Sequence, residues 1–178
     1  MRRTPSELPE ELEQTAAASG PRSDAERLVE RLKELGWTLG IAESLTGGLV
    51  AASVVAVPGA SAVFRGGIVA YATELKARLL GVDATLLEAH GPVHPRVARQ
   101  MADGIRRVVG EEEPADVGIA TTGIAGPVSS DGQPVGTVHI AVSTPLGSRV
   151  ESLHLEGDRD DIRTAAAAHA ILLAVEAL

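Results

Sequence analysis

Ser44, Tyr71 and Lys76 are the three side chains whose types and positions could support nucleophilic catalysis. Ser44 lies in AESLTGG, directly after a predicted strand at residues 37–42 and before a predicted apolar helix at residues 46–55. A desolvated lysine with a lowered pKa can remove the proton of a serine hydroxyl, so a Ser-Lys pair can replace Ser-His-Asp. Tyr71, the only tyrosine of the chain, could donate to the same site, although core packing is the ordinary role of a tyrosine.

The AESLTGG corner also offers backbone donors. If the helix begins near Thr46, the free N–H groups of Thr46, Gly47 and Gly48 form its positive end and face whatever Ser44 holds. The two glycines allow a ligand to approach the backbone closely, which suits an oxyanion or a phosphate equally well. The alternative is that Ser44 or Thr46 simply caps the helix, which is the commoner use of such residues.

Lys76 follows the second predicted strand, in YATELK. If a helix begins at Thr73, Lys76 lies in its first turn, where the helix dipole disfavours a cation. The lysine is then either a desolvated base for Ser44 or a solvated side chain paired with Glu74 or Asp83. Its position alone favours the solvated side chain.

A glycine-rich segment, TTGIAGPVSSDGQPVGT, follows a third predicted strand at residues 117–121. It has the length of a binding loop and could supply backbone N–H groups, but a surface loop without a ligand is equally consistent with it. It contains neither GK[ST] nor GxGxxG, the fingerprints of nucleotide-phosphate loops. The five histidines show no metal-binding spacing and the chain has no cysteine, so neither a metal nor a cofactor is expected.

The order of the predicted elements indicates the fold. Helices alternate with strands up to residue 121, and two strands at residues 137–143 and 148–155 then form a hairpin around PLG. This order predicts a three-layer α/β/α domain whose mixed sheet includes a C-terminal antiparallel hairpin. Residues 1–22 lack a sustained apolar face and are expected to form a mobile extension, so the domain is predicted at residues 23–178.

Composition narrows the classes of partner. The formal net charge is −8, with one Trp, one Tyr and one Phe among 178 residues. This balance argues against nucleic acid and anionic membranes as partners. No secretory leader or membrane-spanning segment is visible, so a soluble cytoplasmic protein is expected.

The ordered motifs resemble the CinA C-terminal domain family over residues 28–178. The motifs that carry the resemblance are AESLTGG, VPGAS, GIVAYATELK, LLGV, EAHGPV, TGIAGP, PVGT and GDR, in this order. Stand-alone members of this family resemble nicotinamide mononucleotide deamidases, which release ammonia and nicotinate mononucleotide without a metal in bacterial pyridine nucleotide recycling. The resemblance therefore implies an amidohydrolase with a small nucleotide substrate, and a homodimer is expected because the family tends to associate.

The resemblance also implies roles for particular residues. Ser44 matches the nucleophile, Lys76 the base and Tyr71 the assisting hydroxyl. The oxyanion donors are expected in the corner at residues 46–48 or in the loop at residues 123–126. The remaining candidates for substrate binding are Glu43 as an orienting carboxylate, the corner residues Thr46, Gly47 and Gly48, the loop residues Thr122, Gly123 and Gly126, and Arg159.

The chain departs from the family pattern at several positions. Ala72-Thr73 replaces Ser-Asn, His94 replaces a common serine, Gln133 replaces a lysine, and residues 128–130 replace a glycine cluster. Two alternatives therefore stay open: Ser-Lys hydrolysis of a different amide, and a non-catalytic module that binds nucleotides through the same glycine corners. A binding module would need none of Ser44, Tyr71 and Lys76.

Overall fold

The computed structural model describes residues 22–129 and 132–178. The predicted mobile extension at residues 1–22 therefore lies outside the described residues except for Arg22. The domain begins with helix α1 (Asp24–Leu35), which has a capping box at Ser23 and ends at Gly36 in the left-handed conformation.

Within the described residues, five strands form one mixed sheet: β1 (Leu39–Glu43), β2 (Phe64–Val69), β3 (Val117–Gly123), β4 (Thr137–Thr144) and β5 (Gly147–His154). Their order across the sheet is β2-β1-β3-β4-β5. β1 pairs in parallel with β2 and β3, whereas β4 pairs antiparallel with both β3 and β5. The predicted mixed sheet with a C-terminal hairpin is confirmed.

Helices cover both faces of this sheet and confirm the three layers. The other helices are α2 (Leu49–Val55), α3 (Thr73–Leu80), α4 (Ala84–His90), α5 (Pro95–Val108) and α6 (Arg159–Ala177), with a short 3-10 turn at Ala60–Ala62. One apolar core lies between the sheet and α1, α2 and α6, and a second core lies on the side of α3, α4 and α5. None of the helices within the described residues combines the length and the apolarity needed to cross a bilayer.

The two faces of the central strands differ in side-chain size. Large residues such as Ile41, Ile119 and Ile140 face α1, α2 and α6. Small residues face α5, where a methyl group added at Gly118 would overlap the carbonyl group of Ala102. Helix α5 therefore packs close to this face of the sheet, and α3 packs against α5. The pairing of β1 with β2 and β3 places the carboxyl ends of these strands side by side.

Candidate active site

Ser44 and Lys76 meet at the carboxyl ends of β1 and β2. Ser44 follows β1 directly and is 8% exposed, whereas Lys76 is 1% exposed in the first turn of α3. The Lys76 Nζ atom lies 3.2 Å from the Ser44 Oγ atom. The sequence placed Lys76 in the first turn of a helix on the condition that this helix begins at Thr73, and α3 does begin there. Burial excludes the solvated alternative for this side chain.

Two backbone carbonyl groups complete the surroundings of the lysine amine. Its Nζ atom donates to the Ala70 oxygen at 2.7 Å and to the Tyr71 oxygen at 3.4 Å. Burial lowers the pKa of Lys76 from 10.5 to about 8, and the nearby Glu74 carboxylate raises it by a smaller amount. In the neutral amine, the two carbonyl groups can hold both N–H bonds, which leaves the lone pair for the Ser44 hydroxyl proton.

A polar cavity of about 190 Å³ opens above this pair. Its walls come from the segments after β1, β2 and β3, from the turn at residues 92–93 and from the start of α6. The cavity thus lies outside the carboxyl ends of the parallel strands, where ligands bind in open α/β sheets. The lining residues are Ser44, Leu45, Tyr71, Thr73, Lys76, Pro92, Val93, Thr122, Gly123, Ile124, Ala125, Gly126, Val128 and Arg159.

Tyr71 and Arg159 lie together at the mouth of the cavity. The Tyr71 side chain is 61% exposed, and its hydroxyl group accepts a hydrogen bond from Arg159 Nη2 at 3.2 Å. Arg159 Nη1 donates to the Gly126 carbonyl oxygen at 2.7 Å. The arginine therefore joins the tyrosine to the glycine-rich loop. The predicted residues Thr122, Gly123 and Gly126 lie in the same wall.

The prediction that the second helix begins near Thr46 is wrong. Helix α2 begins at Leu49. Its N-cap residue, Gly48, adopts a left-handed conformation and has no side chain that could cap the helix. Neither Ser44 nor Thr46 caps this helix. Instead, the Thr46 hydroxyl group pairs with the Thr121 hydroxyl group at 2.8 Å beneath the site.

Glu43 takes the place of the ligand that the corner was expected to hold. Its buried carboxylate, 1% exposed, accepts hydrogen bonds from the N–H groups of Gly48 at 2.8 Å, Val50 at 3.2 Å and Ala51 at 2.9 Å. The Gly47 N–H group donates to the Ser44 carbonyl oxygen. The positive end of α2 therefore faces Glu43 and not a ligand at Ser44, and residues 46–48 do not line the cavity.

The turn at residues 92–93 is a cavity wall to which the sequence analysis assigned no role. The Thr122 hydroxyl group donates to the Pro92 carbonyl oxygen at 2.7 Å, and Gln133 Nε2 donates to the Val93 carbonyl oxygen at 2.6 Å. Gln133, at one of the departures from the family pattern, thus ties the glycine-rich segment to this wall. The glycine and proline in HGPV were the available signal for a tight turn here.

The histidines are used for packing and capping. The rings of His90 and His94 stack with 4.7 Å between their centroids, and His94 Nδ1 accepts the Arg96 N–H group at the start of α5. His139 pairs with the Ser152 hydroxyl group across β4 and β5. Among residues 22–129 and 132–178, no group of three or more His, Asp or Glu side chains could hold a metal ion.

Comparison with known proteins identifies the family. The model of the CinA C-terminal domain matches residues 22–178. A CinA-like protein of Frankia casuarinae is 53% identical over 134 residues, covering 75% of this chain and 30% of that protein. A CinA-like protein of Geobacter sulfurreducens is 44% identical over 163 residues, covering 91% and 38%. The chain thus spans about a third of the length of these curated relatives.

Solved structures of CinA proteins resemble this chain in both sequence and fold. A competence-damaged protein (CinA) superfamily protein from Klebsiella pneumoniae is 32% identical with a TM-score of 0.80, covering 86% of this chain and 94% of that one. The competence/damage inducible protein CihA from Agrobacterium tumefaciens is 34% identical with a TM-score of 0.75, covering 87% and 97%. The chain that places a buried lysine against Ser44 therefore belongs to the CinA C-terminal domain family.

Proposed function

We propose that this protein is an amidohydrolase that converts nicotinamide mononucleotide to nicotinate mononucleotide and ammonia through a Ser-Lys mechanism. The contact between Ser44 Oγ and the buried Lys76 Nζ carries the proposal. A buried lysine without a carboxylate partner is unfavourable for folding, and its lowered pKa suits a base working near neutral pH. The resemblance of the ordered motifs supplies the substrate.

The chemistry follows from the protonation state of Lys76. The neutral amine accepts the Ser44 proton while Ser44 Oγ attacks the carboxamide carbon, which gives a tetrahedral oxyanion. Collapse of this intermediate breaks the C–N bond while the ammonium of Lys76 donates its proton to the leaving amide nitrogen, which departs as ammonia and leaves Lys76 neutral. Water then attacks the acyl-enzyme with Lys76 again as base, which releases the carboxylate product and restores Ser44.

The glycine-rich loop is the better source of oxyanion donors. The N–H groups of Gly47 and Gly48 are engaged by the Ser44 carbonyl group and by Glu43. Ala125 and Gly126 line the cavity, and their N–H groups have no acceptor within the described part of the chain. Removal of one such donor from a hydrolase typically raises the barrier by about 3–4 kcal/mol.

Arg159 is the group proposed to hold the substrate phosphate. Arg159 lines the mouth of the cavity and lies close to the glycine-rich loop. Two of its N–H groups already donate to Gly126 and Tyr71, so the phosphate would use the remaining donors of the guanidinium.

The direct test is ammonia release from purified protein incubated with nicotinamide mononucleotide. Ser44→Ala and Lys76→Met should each lower the rate by roughly 10⁴-fold or more, because each removes a member of the reacting pair. Ser53→Ala and Lys33→Ala are matched controls, since Ser53 bonds within α2 and Lys33 lies on the surface near Pro58. Both controls should retain the parent rate.

The outcomes separate the parts of the proposal. Unchanged ammonia release from Ser44→Ala would refute the nucleophile assignment. A parent that binds the nucleotide without releasing ammonia would refute the proposed activity in favour of a binding module. Release of ammonia from another carboxamide alone would keep the Ser-Lys chemistry and reject the substrate.

A further inference from the structure

Arg163, one turn after Arg159 on α6, reaches the turn that carries Ser44. Its Nε atom donates to the Leu45 carbonyl oxygen at 3.1 Å and its Nη2 atom to the Thr46 carbonyl oxygen at 3.3 Å. The remaining nitrogen, Nη1, pairs with Asp160 at 3.0 Å. Arg163 is absent from the cavity lining, so it acts on the protein backbone and not on a ligand in the cavity.

Exposure shows which of these contacts matter more. The Arg163 side chain is 26% exposed, whereas the Asp160 side chain is 86% exposed. An ion pair with so exposed a carboxylate contributes little because water screens it. The two bonds to backbone carbonyl groups are partly buried. Two different nitrogens of the rigid, planar guanidinium make them, a fixed geometry that a lysine ammonium does not offer.

These bonds extend into a chain that ends at Ser44. The Thr46 carbonyl group and the Gly47 N–H group belong to the same peptide unit. That N–H group donates to the Ser44 carbonyl oxygen at 3.1 Å and closes the turn. A cation bound to the carbonyl end of a peptide polarises its N–H end, so the Arg163 contact strengthens the bond that closes the turn.

The next peptide unit, between Gly47 and Gly48, is held by a negative charge, that of the Glu43 carboxylate. Its Gly48 N–H group donates to the Glu43 carboxylate at 2.8 Å. The Ser44 turn is therefore held by a guanidinium on its carbonyl groups and by a carboxylate on its N–H groups. The Thr46 hydroxyl group adds a third attachment, to Thr121 on β3.

We infer that Arg163 is a positioning residue for the nucleophile: its guanidinium fixes the Ser44 turn so that Ser44 Oγ stays within reach of Lys76 Nζ. This inference rests on the proposed role of Ser44. A displacement of about 1 Å at a reacting group can lower a rate by about 100-fold, which sets the size of the effect to be sought.

The test compares Arg163→Gln and Arg163→Lys with two matched controls. Asp160→Asn removes the exposed ion pair but leaves the carbonyl contacts of Arg163 intact. Arg149→Gln removes another arginine that donates to a backbone carbonyl group, that of Glu176, far from the cavity. Each variant is compared by kcat and KM for ammonia release, by the rate at which a fluorophosphonate labels Ser44, and by amide hydrogen exchange at residues 45–47.

The expected pattern is specific to positioning. Arg163→Gln should lower kcat and the labelling rate by about 10- to 100-fold, with KM within about twofold and the midpoint of the pH profile unchanged. Exchange of the Gly47 amide should become at least about tenfold faster, because the bond that closes the turn weakens. Arg163→Lys should recover part of each effect, and both controls should match the parent.

Several results would overturn the inference. Labelling and exchange in Arg163→Gln and Arg163→Lys that match both controls would show that the turn does not need Arg163. A loss confined to KM would make Arg163 a substrate-binding group instead. Parent protein that is labelled at Ser44 but inactive on nicotinamide mononucleotide would reject the substrate alone, since labelling and exchange still decide the role of Arg163. Absence of labelling in the parent would reject the nucleophile, and this inference with it.

Discussion

At the scale of a single residue, burial of the Lys76 amine lowers its pKa and makes it available as a base. Its amine is buried at 1% exposure with two carbonyl groups and one hydroxyl group as partners, and no ion pair reaches it from the described residues. Carbonyl groups stabilise an ammonium less than a carboxylate does, so burial prevails and the pKa falls to about 8. The residue is thereby available as a base close to neutral pH.

The rate should therefore depend on pH through this one group. Because the proposed mechanism uses the neutral amine of Lys76 as the base, kcat/KM for ammonia release should rise as the pH increases through about 8 and level off above it. Glu74 raises the pKa of Lys76, so Glu74→Gln should move the midpoint to lower pH. Initial rates between about pH 6 and pH 10 measure both effects. A rate that falls over this range, or a midpoint that Glu74→Gln moves upward, would contradict the assignment of Lys76 as the base.

At the scale of elements, Glu43 determines where α2 begins. Its carboxylate receives three backbone N–H groups from the cap and first turn of the helix. These groups would otherwise be unpaired beneath the Ser44 turn. The negative charge also complements the positive end of the helix dipole, so one side chain at the end of β1 fixes the register of strand, turn and helix.

Glu43→Gln should lower the free energy of unfolding by about 2 kcal/mol, because the amide offers one acceptor oxygen and no charge. Urea unfolding measures this change. Glu34→Gln is the matched control on the exposed side of α1, where the pair with Arg31 should contribute less than about 1 kcal/mol. Equal stability of the two variants would show that Glu43 does not hold the helix.

Gly104 allows α3 and α5 to approach each other. A methyl group added there would overlap the carbonyl group of Leu80, which lies one turn after Lys76 on α3. Alanine is intrinsically the better helix former by about 1 kcal/mol, so propensity alone predicts that Gly104→Ala stabilises α5. The overlap with Leu80 should instead make Gly104→Ala destabilising, with a loss of about 1–3 kcal/mol in the free energy of unfolding.

Thermal or urea unfolding shows whether Gly104→Ala stabilises the protein through helix propensity or destabilises it through overlap. Asp103→Ala, at the adjacent and more exposed position of α5, adds helix propensity without overlap. It also removes the pair with Arg99 and the contact with Ser148, both at solvent-accessible positions, where such a pair contributes less than about 1 kcal/mol. A stabilised Gly104→Ala would mean that α3 can move away freely, and the close packing of the two helices would then not constrain Lys76.

The sequence predicted the type of each element better than its connections. Apolar periodicity and turn residues were sufficient for the mixed sheet and for the hairpin after residue 136. The start of α2 was misplaced because local rules assign the cap to Ser44 or Thr46, whereas Glu43 caps from the preceding strand. The Glu43 contacts span five to eight residues, and the usual capping pattern considers only the residue at the start of the helix.

The same limit applies to the site. Spacing could place Lys76 in a first turn, but its burial depends on α5 packing closely against a glycine- and alanine-rich sheet face. The wall at residues 92–93 and the reach of Arg163 depend on tertiary contacts, which periodicity does not describe. The motif resemblance could select Ser44, Tyr71 and Lys76 together, which residue types alone could not.

At the scale of the whole molecule, the buried lysine links stability to pH. Between about pH 8 and pH 10.5, the unfolded chain keeps a proton on Lys76 that the folded chain has lost. Stability therefore rises with pH across this window, by about 3 kcal/mol for a pKa difference of this size. Below pH 8 both states are protonated and the cost of burying the charge is present in full.

Lys76→Met isolates this contribution, because it removes the titrating group and keeps an unbranched side chain. The free energy of unfolding of the parent, minus that of the variant, should increase between about pH 8 and pH 10.5 and be flat below pH 8. Urea unfolding at a series of pH values measures the difference. A difference that is flat throughout would show that the pKa of Lys76 is not lowered in the folded protein.

The position of α6 in the chain has a consequence for synthesis of the protein. Ser44 and Lys76 are translated early, but Arg159 and Arg163 belong to a helix that packs on α1, α2, β3 and β4 only after the hairpin is complete. While α6 is still inside the ribosome, the Ser44 turn lacks its contact with Arg163, and the glycine-rich loop lacks the Arg159 bonds that join it to Tyr71. A nascent chain thus carries the Ser44–Lys76 pair in unfinished surroundings, and the guanidinium contacts of Arg159 and Arg163 form only after α6 has left the ribosome.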